Sequence, residues 1–408
     1  MPVNLTSPIK DDLLPIAGIK LATAHAGIKT NDATDLVLIE LAEGVATSAV
    51  YTQNAFCAAP VTLAKQHQAD VSPRYLLINS GNANAGTGEQ GIQAARASCQ
   101  AVAEVSGLPA ESVLPFSTGV IGQQLPVDKI VKAMPELYQG LAEDNWFEAA
   151  QGIMTTDIVA KAISKQIDIN GSTVTITGMA KGSGMIRPDM ATMLAYIATD
   201  AAVEQSVLDD MLQRAVEQSF NRISVDGDTS TNDACILMAT AQVQHTEITI
   251  IDSLDAQNLY QAIVEVSQYL AQAIIRDGEG ATKFITIDVE QGEDNEECLQ
   301  VAYTIAHSPL VKTALFASDP NWGRILAAVG RSGLDRFDLT KVAIYLGDVC
   351  IVDQGEPATT YAEELGQKVM DQDEITIKVQ LGRGRANETI WTCDFSYDYV
   401  KINAEYRS

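Results

Sequence analysis

The chain has 408 residues, of which 46% are hydrophobic and 20% charged, and its formal net charge at pH 7 is -26. So acidic a surface repels a phosphate backbone, and we expect no nucleic-acid partner. No stretch approaches the ~20 consecutive apolar residues of a membrane-spanning helix, and the N-terminus lacks the basic and apolar regions of a signal peptide. We therefore expect a cytoplasmic protein with no membrane contact.

Short β-branched runs bounded by Gly, Asn or Asp predict strands along the whole chain. These runs are residues 35–40, 75–79, 173–177, 247–251, 283–288, 342–345 and 374–379. Apolar residues at helical spacing predict amphipathic helices over residues 92–105, 127–141, 203–220 and 254–275. Mixed strands and helices indicate an α+β fold in which helices cover sheets, although periodicity does not determine the topology.

Cysteine and histidine form no disulfide or metal-binding pattern in this sequence. The six cysteines include no Cys-x-x-Cys pair, and the four histidines are equally dispersed. We expect buried, reduced thiols, no metal and no cofactor. No Ser-His-Asp arrangement is legible either. The residues concerned are Cys57, Cys99, Cys235, Cys298, Cys350, Cys393, His25, His67, His245 and His307.

A glycine pattern favours an alternative function, that of a dinucleotide-dependent oxidoreductase. Gly86, Gly88 and Gly91 match Gly-x-Gly-x-x-Gly and open a predicted helix. However, residues 80–85 separate the pattern from the preceding strand, where the fingerprint requires a direct turn. Glu89 would also bring a negative charge to the pyrophosphate. We therefore expect these glycines to shape a loop near the site.

The acidic run 226–233 resembles a calcium-binding loop only superficially. Thr231 stands where such a loop requires glycine, and Leu237 stands where it requires a bidentate glutamate. We expect a turn packed beside the catalytic sheet rather than a metal site.

The run from Lys181 to Asp200 is the most informative segment of the chain. A glycine-rich start and Pro188 precede Ala191 and Thr192, after which an apolar stretch begins. Such a segment can present a threonine at the exposed start of a buried element. Cutting the chain before Thr192 would supply an α-amine, with a pKa of about 7.7–8.0, as the base for its hydroxyl. The pattern suggests a self-processing enzyme; a turn leading into a core strand is the alternative.

This run resembles the processing site of the ornithine acetyltransferase family, the glutamate N-acetyltransferases of arginine biosynthesis. Every fixed position of the family pattern Lys-Gly-Ser-Gly-Met-Ile-x-Pro-x-Met-Ala-Thr-Met-Leu is present here. The resemblance continues, in order, over nearly the whole chain. It includes residues 27–29, 79–86, 117–122, 276–283, 318–324 and 399–408.

The resemblance implies a layered αββα sandwich of the N-terminal-nucleophile type that cleaves itself between Ala191 and Thr192. Residues 1–191 would become the alpha chain and residues 192–408 the beta chain, the two halves folding together as one unit before the cut. The resemblance also implies a heterotetramer with two chains of each kind.

The resemblance further implies the residues of the site. Thr192 would be the nucleophile, and Thr118 and Gly119 would form the oxyanion hole that stabilises the tetrahedral intermediate. One of two adjacent threonines would contact the substrate, and the sequence does not decide which. The implied substrate-binding set is Thr155, Thr156, Lys181, Thr192, Glu279, Asn403 and Ser408.

The activity implied is transfer of acetyl from N-acetylornithine to glutamate through an acetyl-threonine intermediate. Some members of the family also use acetyl-CoA as a co-substrate to acetylate glutamate, and the sequence leaves this open. An N-terminal-nucleophile aminopeptidase or amidase, which would pass the acyl group to water, is the alternative within acyl chemistry.

Overall fold

The computed structural model of the protein describes residues 1–187 and 193–405. Its strands are β1 (Ile19–Ala24), β2 (Leu36–Leu41), β3 (Ala46–Tyr51), β4 (Tyr75–Asn82), β5 (Val113–Val120), β6 (Lys161–Ile169), β7 (Ser172–Lys181), β8 (Leu194–Thr199), β9 (Ile223–Ser224), β10 (Ala234–Ala239), β11 (Phe284–Gly292), β12 (Ala343–Leu346), β13 (Val349–Asp353), β14 (Glu356–Pro357), β15 (Glu374–Gln380) and β16 (Ala386–Cys393). Its helices are α1 (Ala59–Asp70), α2 (Gly88–Ser106), α3 (Val127–Gln139), α4 (Trp146–Gly152), α5 (Gln205–Glu217), α6 (Leu254–Arg276), α7 (Asn295–Ala306), α8 (Pro309–Phe316), α9 (Trp322–Gly330), α10 (Glu363–Met370) and α11 (Tyr397–Ala404).

Two sheets pack face to face at the centre of the molecule. The first has the order β1-β2-β4-β5 and the second the order β3-β10-β8-β7-β6. Because side chains alternate along a strand, Leu194 and Tyr196 of β8 face the core between the sheets, while Ala195 and Ile197 face the opposite side. The ring of Tyr196 meets that of Phe116 on β5 edge-on, with centroids 5.5 Å apart. Aromatic and aliphatic side chains therefore join the sheets into one core.

Helices cover the outer face of each sheet. Helices α2 and α3 pack on the first sheet, and α5 and α6 pack on the second. The order of layers is thus helix, sheet, sheet, helix, and the predicted αββα sandwich is confirmed. The second sheet combines strands from before and after residues 188–192, since Lys181 of β7 pairs with Leu194 of β8.

A third sheet, which the sequence analysis did not predict, forms a second lobe. Its order is β14-β13-β12-β15-β11-β16-β9. Apolar residues such as Ile287 and Ile377 pack there against α7 and α9 in a core of their own. The lobe continues into the sandwich, because Phe284 at the start of β11 and Cys393 at the end of β16 belong to the core beneath α6.

Two of the sequence-based predictions need correction. The strand predicted at residues 247–251 is wrong: Ile248 makes an isolated bridge to Val203, and Ile250 is exposed. A β-branched run forms a strand only where a sheet offers a partner and a face to pack against. The expectation of buried thiols holds for four of the six free cysteines, whereas Cys57 and Cys350 are partly exposed.

Within the described residues, no helix is both long and apolar enough to cross a membrane.

Candidate active site

A cavity of about 250 Å³ lies where strands of both central sheets end or begin. Thr118 and Gly119 contribute from β5, Lys181 from the end of β7, and Leu194 from the start of β8. Glu279, which follows α6, and Asn403, on α11, complete the wall on another side. The fold therefore gathers polar groups from distant parts of the chain around one space.

Gly119 occupies a position that admits no side chain. Its φ is +134°, and a Cβ there would overlap the backbone of Gly81 and Asn82 on the neighbouring strand β4. The pairing of β4 with β5 shifts register at the same point, between Gly81 and Asn82. The bulge and the glycine together bring bare backbone to the cavity wall beside Thr118.

The ammonium group of Lys181 joins two of the predicted site threonines. Its Nζ donates to Oγ1 of Thr155 at 2.8 Å and to Oγ1 of Thr118 at 3.3 Å. Oδ2 of Asp157 lies 3.9 Å away. Burial lowers the pKa of Lys181, and the negative charge of Asp157 opposes this effect. The lysine thus presents a desolvated positive charge to the cavity.

Behind Lys181 lies a buried cluster of two carboxylates and a second lysine. Lys161 Nζ donates to Oδ1 of Asp157 and to Oδ2 of Asp277, each at 2.7 Å. Asp157 also accepts from the backbone N–H groups of Thr155 at 3.0 Å and Gly182 at 2.8 Å. Burial alone would raise the pKa of Asp157, but the two lysines and these hydrogen bonds hold it below its usual range. Asp157 is therefore ionised, and it holds the backbone at both Thr155 and Gly182 in place.

Glu279 and Asn403 form the other polar wall. Nδ2 of Asn403 donates to Oε2 of Glu279 at 2.8 Å. A Cβ at position 184 would overlap the carboxylate of Glu279, so any side chain there would have to displace that carboxylate. The backbone N–H of Glu279 donates to the carbonyl of Ser183 at 2.8 Å, and the Ser183 hydroxyl donates to the carbonyl of Asp277 at 2.7 Å. The carboxylate is thus fixed against the segment that follows β7.

Asp233 is a polar group of this cavity that the sequence analysis did not single out. It precedes β10 and is 3% exposed, and its Oδ2 has no hydrogen-bond partner in the described part of the chain. Burial raises its pKa well above the usual value. Asp157, Lys161 and Asp277 were also missed. Of these, Asp157 could have been noticed as an acidic residue following Thr155 and Thr156.

The structure brings together most of the residues predicted from the sequence. Those that line the one cavity are Thr118, Gly119, Thr155, Thr156, Lys181, Glu279 and Asn403. Thr156 differs from its neighbour, since its side chain makes no hydrogen bond with any described residue, whereas Thr155 contacts Lys181. Ala191, Thr192 and Ser408 lie outside the described residues, and their roles stay predictions.

Two other sequence patterns, the glycines at 86–91 and the acidic run 226–233, make contacts within the chain itself. A Cβ at Gly91 would overlap the side chains of Thr87 and Asn84, so this glycine closes a loop. In the 226–233 run, Asp226 accepts hydrogen bonds from backbone N–H groups of the chain itself. No group of three or more His, Cys, Asp or Glu side chains that could hold a metal ion occurs within residues 1–187 and 193–405.

The arrangement suits acyl chemistry on a small amino-acid derivative. A hydroxyl and backbone groups near a buried cation can stabilise an oxyanion. The cation can also bind a carboxylate, and Glu279 can bind an ammonium group. A cavity of about 250 Å³ is small, which favours a compact ligand.

Comparison with known proteins assigns the chain to a family. A model of the ArgJ family matches residues 20–408. The chain is 56% identical to the arginine biosynthesis bifunctional protein ArgJ of Pseudomonas syringae pv. tomato, over 97% of this chain and 98% of that protein. It is also 56% identical to the protein of that name from Methylococcus capsulatus, over 97% of each chain. A crystal structure of the Bacillus halodurans ArgJ protein is similar with 39% identity and a TM-score of 0.49, covering 52% of this chain and 98% of that one. From the match to the family model and to these relatives, the chain belongs to the ArgJ family.

Proposed function

We propose that this protein is a self-processing acetyltransferase that moves an acetyl group from N-acetylornithine to glutamate in arginine biosynthesis. Membership of the ArgJ family supports this, since its relatives are named arginine biosynthesis bifunctional proteins. The observation that carries the proposal is the convergence of Thr118, Lys181 and Glu279 on one cavity. These three supply a donor for an oxyanion, a cation for a carboxylate and a carboxylate for an ammonium group.

Maturation is proposed to cut the bond between Ala191 and Thr192. The Thr192 hydroxyl oxygen attacks the Ala191 carbonyl carbon, the C–N bond breaks, and an ester forms as the amine is released. Water then hydrolyses the ester, which leaves a carboxylate on residues 1–191 and a free hydroxyl and amine on residues 192–408. Strands β7 and β8, on either side of this bond, pair in one sheet, which supports two chains that fold as one unit before the cut.

Catalysis is proposed to use the same hydroxyl. The α-amine of Thr192 accepts the hydroxyl proton while the oxygen attacks the acetyl carbon of N-acetylornithine, and Thr118 and Gly119 stabilise the oxyanion. The amine then returns the proton to the departing nitrogen, so ornithine leaves and an acetyl ester stays on the threonine. The amino group of glutamate attacks this ester by the reverse path. Met193 and Leu194, which follow Thr192, line the cavity, and this supports the assignment of the nucleophile.

Substrate recognition is proposed to use the two polar walls. Lys181, with Thr155, would bind a carboxylate, and Glu279, with Asn403, would bind an ammonium group. Burial supports these roles, since Lys181 and Glu279 are 9% and 6% exposed and a desolvated charge binds its partner more strongly. Ser408 is proposed to join the Asn403 side of the site.

The remaining assignments follow from the same proposal. No cofactor is required, and acetyl-CoA is proposed as a second acetyl donor, as the word bifunctional in the relatives' names suggests. The active protein is proposed to be a heterotetramer of two alpha and two beta chains. A cytoplasmic location is proposed because all six cysteines are free thiols, which is typical of a reducing compartment.

The direct test is an acetyl-transfer assay with purified protein. Incubation with N-acetylornithine and glutamate should give ornithine and N-acetylglutamate in equal amounts, with the parallel double-reciprocal lines of a ping-pong mechanism. An aminopeptidase or amidase would instead release acetate at the same rate without glutamate. Replacing N-acetylornithine by acetyl-CoA tests the second donor. If no N-acetylglutamate forms with either N-acetylornithine or acetyl-CoA as the donor, the proposed activity is refuted.

A further inference from the structure

The loop formed by residues 225–233, together with the start of β10 that follows it, holds the chain on both sides of residues 188–192. Before that segment, the carboxylate of Asp226 accepts the N–H of Met185 at 2.7 Å and the N–H of Ile186 at 3.0 Å. After it, the N–H of Ala234, the first residue of β10 and next to the loop, donates to the carbonyl of Met193 at 3.0 Å. The loop and the start of β10 thus hold the two described ends that flank the proposed cleavage site.

The attachment at Ile186 is reinforced from β9. The N–H of Val225 donates to the Ile186 carbonyl at 2.8 Å, and the Ser224 hydroxyl donates to the same oxygen at 3.1 Å. The N–H and the C=O of Ile186 are therefore both bound by consecutive residues of one segment. Ile186 is also 1% exposed. Water therefore cannot readily replace these hydrogen bonds, and losing one would leave a buried polar group without a partner.

The backbone at Met185 is held in a conformation that is energetically unfavourable for methionine. Its φ is +55°, in the left-handed region, which costs a residue with a Cβ of order 1 kcal/mol. Two successive N–H groups that converge on one anion form the concave arrangement called a nest. A carboxylate supplies one oxygen to each of these N–H groups, so the Asp226 side chain holds this turn in place.

We propose that Asp226 is a positioning residue for self-cleavage: it holds the turn at Met185 and Ile186 so that the chain reaches the Ala191–Thr192 bond in a reactive geometry. The inference rests on the proposed self-cleavage and adds a separate requirement for it. Asp226 does not line the cavity, whereas residues 230–233 of the same loop do. Met185 and Ile186, whose N–H groups Asp226 binds, also line the cavity. The proposal confines the role of Asp226 to maturation, and it predicts that acetyl transfer by the cleaved enzyme does not depend on this residue.

Replacing Asp226 by Asn is the informative change. The carboxylate also accepts the N–H of Asp228 at 3.2 Å. The amide has nearly the same shape, yet it turns an N–H₂ group toward at least one of these three N–H donors and loses the charge. Hydrogen bonds to a charged group contribute about 1.5–3 kcal/mol, and 1.4 kcal/mol corresponds to a factor of ten in rate. We expect D226N to cleave about 10- to 100-fold more slowly than the wild-type chain.

Two matched controls isolate this effect. Asp228 is exposed on the same loop and carries the same charge, so Asp228→Asn tests charge alone. The Tyr399 hydroxyl lies 3.4 Å from Oδ2 of Asp226, so Tyr399→Phe removes the contact with α11 but keeps the bonds from Met185 and Ile186. Both controls should cleave at the wild-type rate. Asp226→Glu, which keeps both oxygens but displaces them by one methylene, should be slow like D226N.

The measurement follows full-length chains made by cell-free synthesis, pulse-labelled and sampled over time on denaturing gels. Circular dichroism of purified chains checks that each variant is folded. Once cleaved, D226N should transfer acetyl with a kcat within about twofold of wild type. Cleavage of folded D226N and D226E at the wild-type rate, or a large loss of kcat in the cleaved variant, would overturn the inference. If the wild-type chain itself stays intact, the proposed self-cleavage fails, and the inference fails with it.

Discussion

The ammonium nitrogen of Lys161 lies 2.7 Å from Oδ1 of Asp157, and neither side chain is exposed to solvent. Lys161 contacts Asp277 at the same distance, so one buried cation lies between two buried carboxyl groups. Through its second oxygen, Asp157 holds the backbone of Thr155. Through its main chain, Asp277 holds Ser183. The cluster therefore ties both polar walls of the cavity to one buried charge.

Lys161→Met should destabilise the protein strongly. It leaves two carboxylates buried without their cation, and breaking such a cluster typically costs about 3–5 kcal/mol. Urea denaturation at pH 7 measures the change. Lys165→Met, on the same strand, removes a partly exposed pair with Glu265 and should cost less than about 1 kcal/mol. Equal effects of the two substitutions would contradict the structural role of the cluster.

Thr118→Val should reduce kcat far more than it raises KM, since Lys181 keeps its shorter hydrogen bond to Thr155. The substitution removes the hydroxyl but keeps the branched shape, and loss of one oxyanion donor costs about 10²–10³ in kcat. Ser117→Ala is the matched control, because the Ser117 hydroxyl donates to Asn79 Oδ1 at 2.6 Å and the residue does not line the cavity. Steady-state kinetics of both variants, measured on folded and cleaved protein, give the two kcat values to compare. A normal kcat for Thr118→Val would exclude Thr118 from the oxyanion hole.

The two adjacent threonines should differ in their effect on substrate binding. Thr155 Oγ1 accepts a hydrogen bond from Lys181 at 2.8 Å, whereas the Thr156 side chain has no such partner among residues 1–187 and 193–405. Thr155→Val should raise KM for N-acetylornithine about tenfold, since it leaves a buried ammonium short of one partner. Thr156→Val should change KM less than about threefold. The opposite order would show that Thr156 makes the contact.

Stability should fall as the pH drops from about 6.5 to about 4, because of His307. Burial, with the positive charges of Arg187, Lys312 and Arg331, lowers the pKa of His307 to about 4. In this window the unfolded chain binds a proton that the folded chain does not, so stability is lost as the pH falls, by roughly 1.4 kcal/mol per unit.

His307→Gln removes the titrating group, and the amide can still bond with Ser224, whose hydroxyl lies 2.9 Å from His307 Nε2. The unfolding free energy of the wild type minus that of the variant, measured between pH 4 and pH 7, should rise with pH in this window. A flat difference would contradict the assignment.

Sequence patterns located the helices better than the strands, whereas the order of the layers was implied by the family resemblance alone. Helices with a clear apolar face, such as α6, were found almost to the residue, since a 3.6-residue period survives in sequence. Strand β10 was missed, and β8 was foreseen only as the alternative interpretation of the run after Thr192. Both strands are fully buried and read as continuous apolar runs without alternation. The run at residues 247–251 had the right composition but no sheet to join.

The cavity residues that could be predicted are those whose place in the chain matched a family pattern, such as Lys181 and Glu279. Residues that support them could not be predicted in this way. Asp157 and Lys161 are four residues apart, but Asp277 meets them only because the start of β6 and the end of α6 come together in space. No local spacing records that contact. Asp226 was noticed as part of an acidic run, but its partners are backbone groups, which leave no trace in the side-chain pattern.

The most direct test of the account is the intact mass of the purified protein, before and after brief incubation with N-acetylornithine alone. We expect two chains, residues 1–191 and 192–408, and an added acetyl group on the second chain that disappears when glutamate is supplied. Thr192→Ala should stay a single chain and take up no acetyl. An active wild-type protein of one uncut chain, or an acetyl group carried elsewhere, would contradict it.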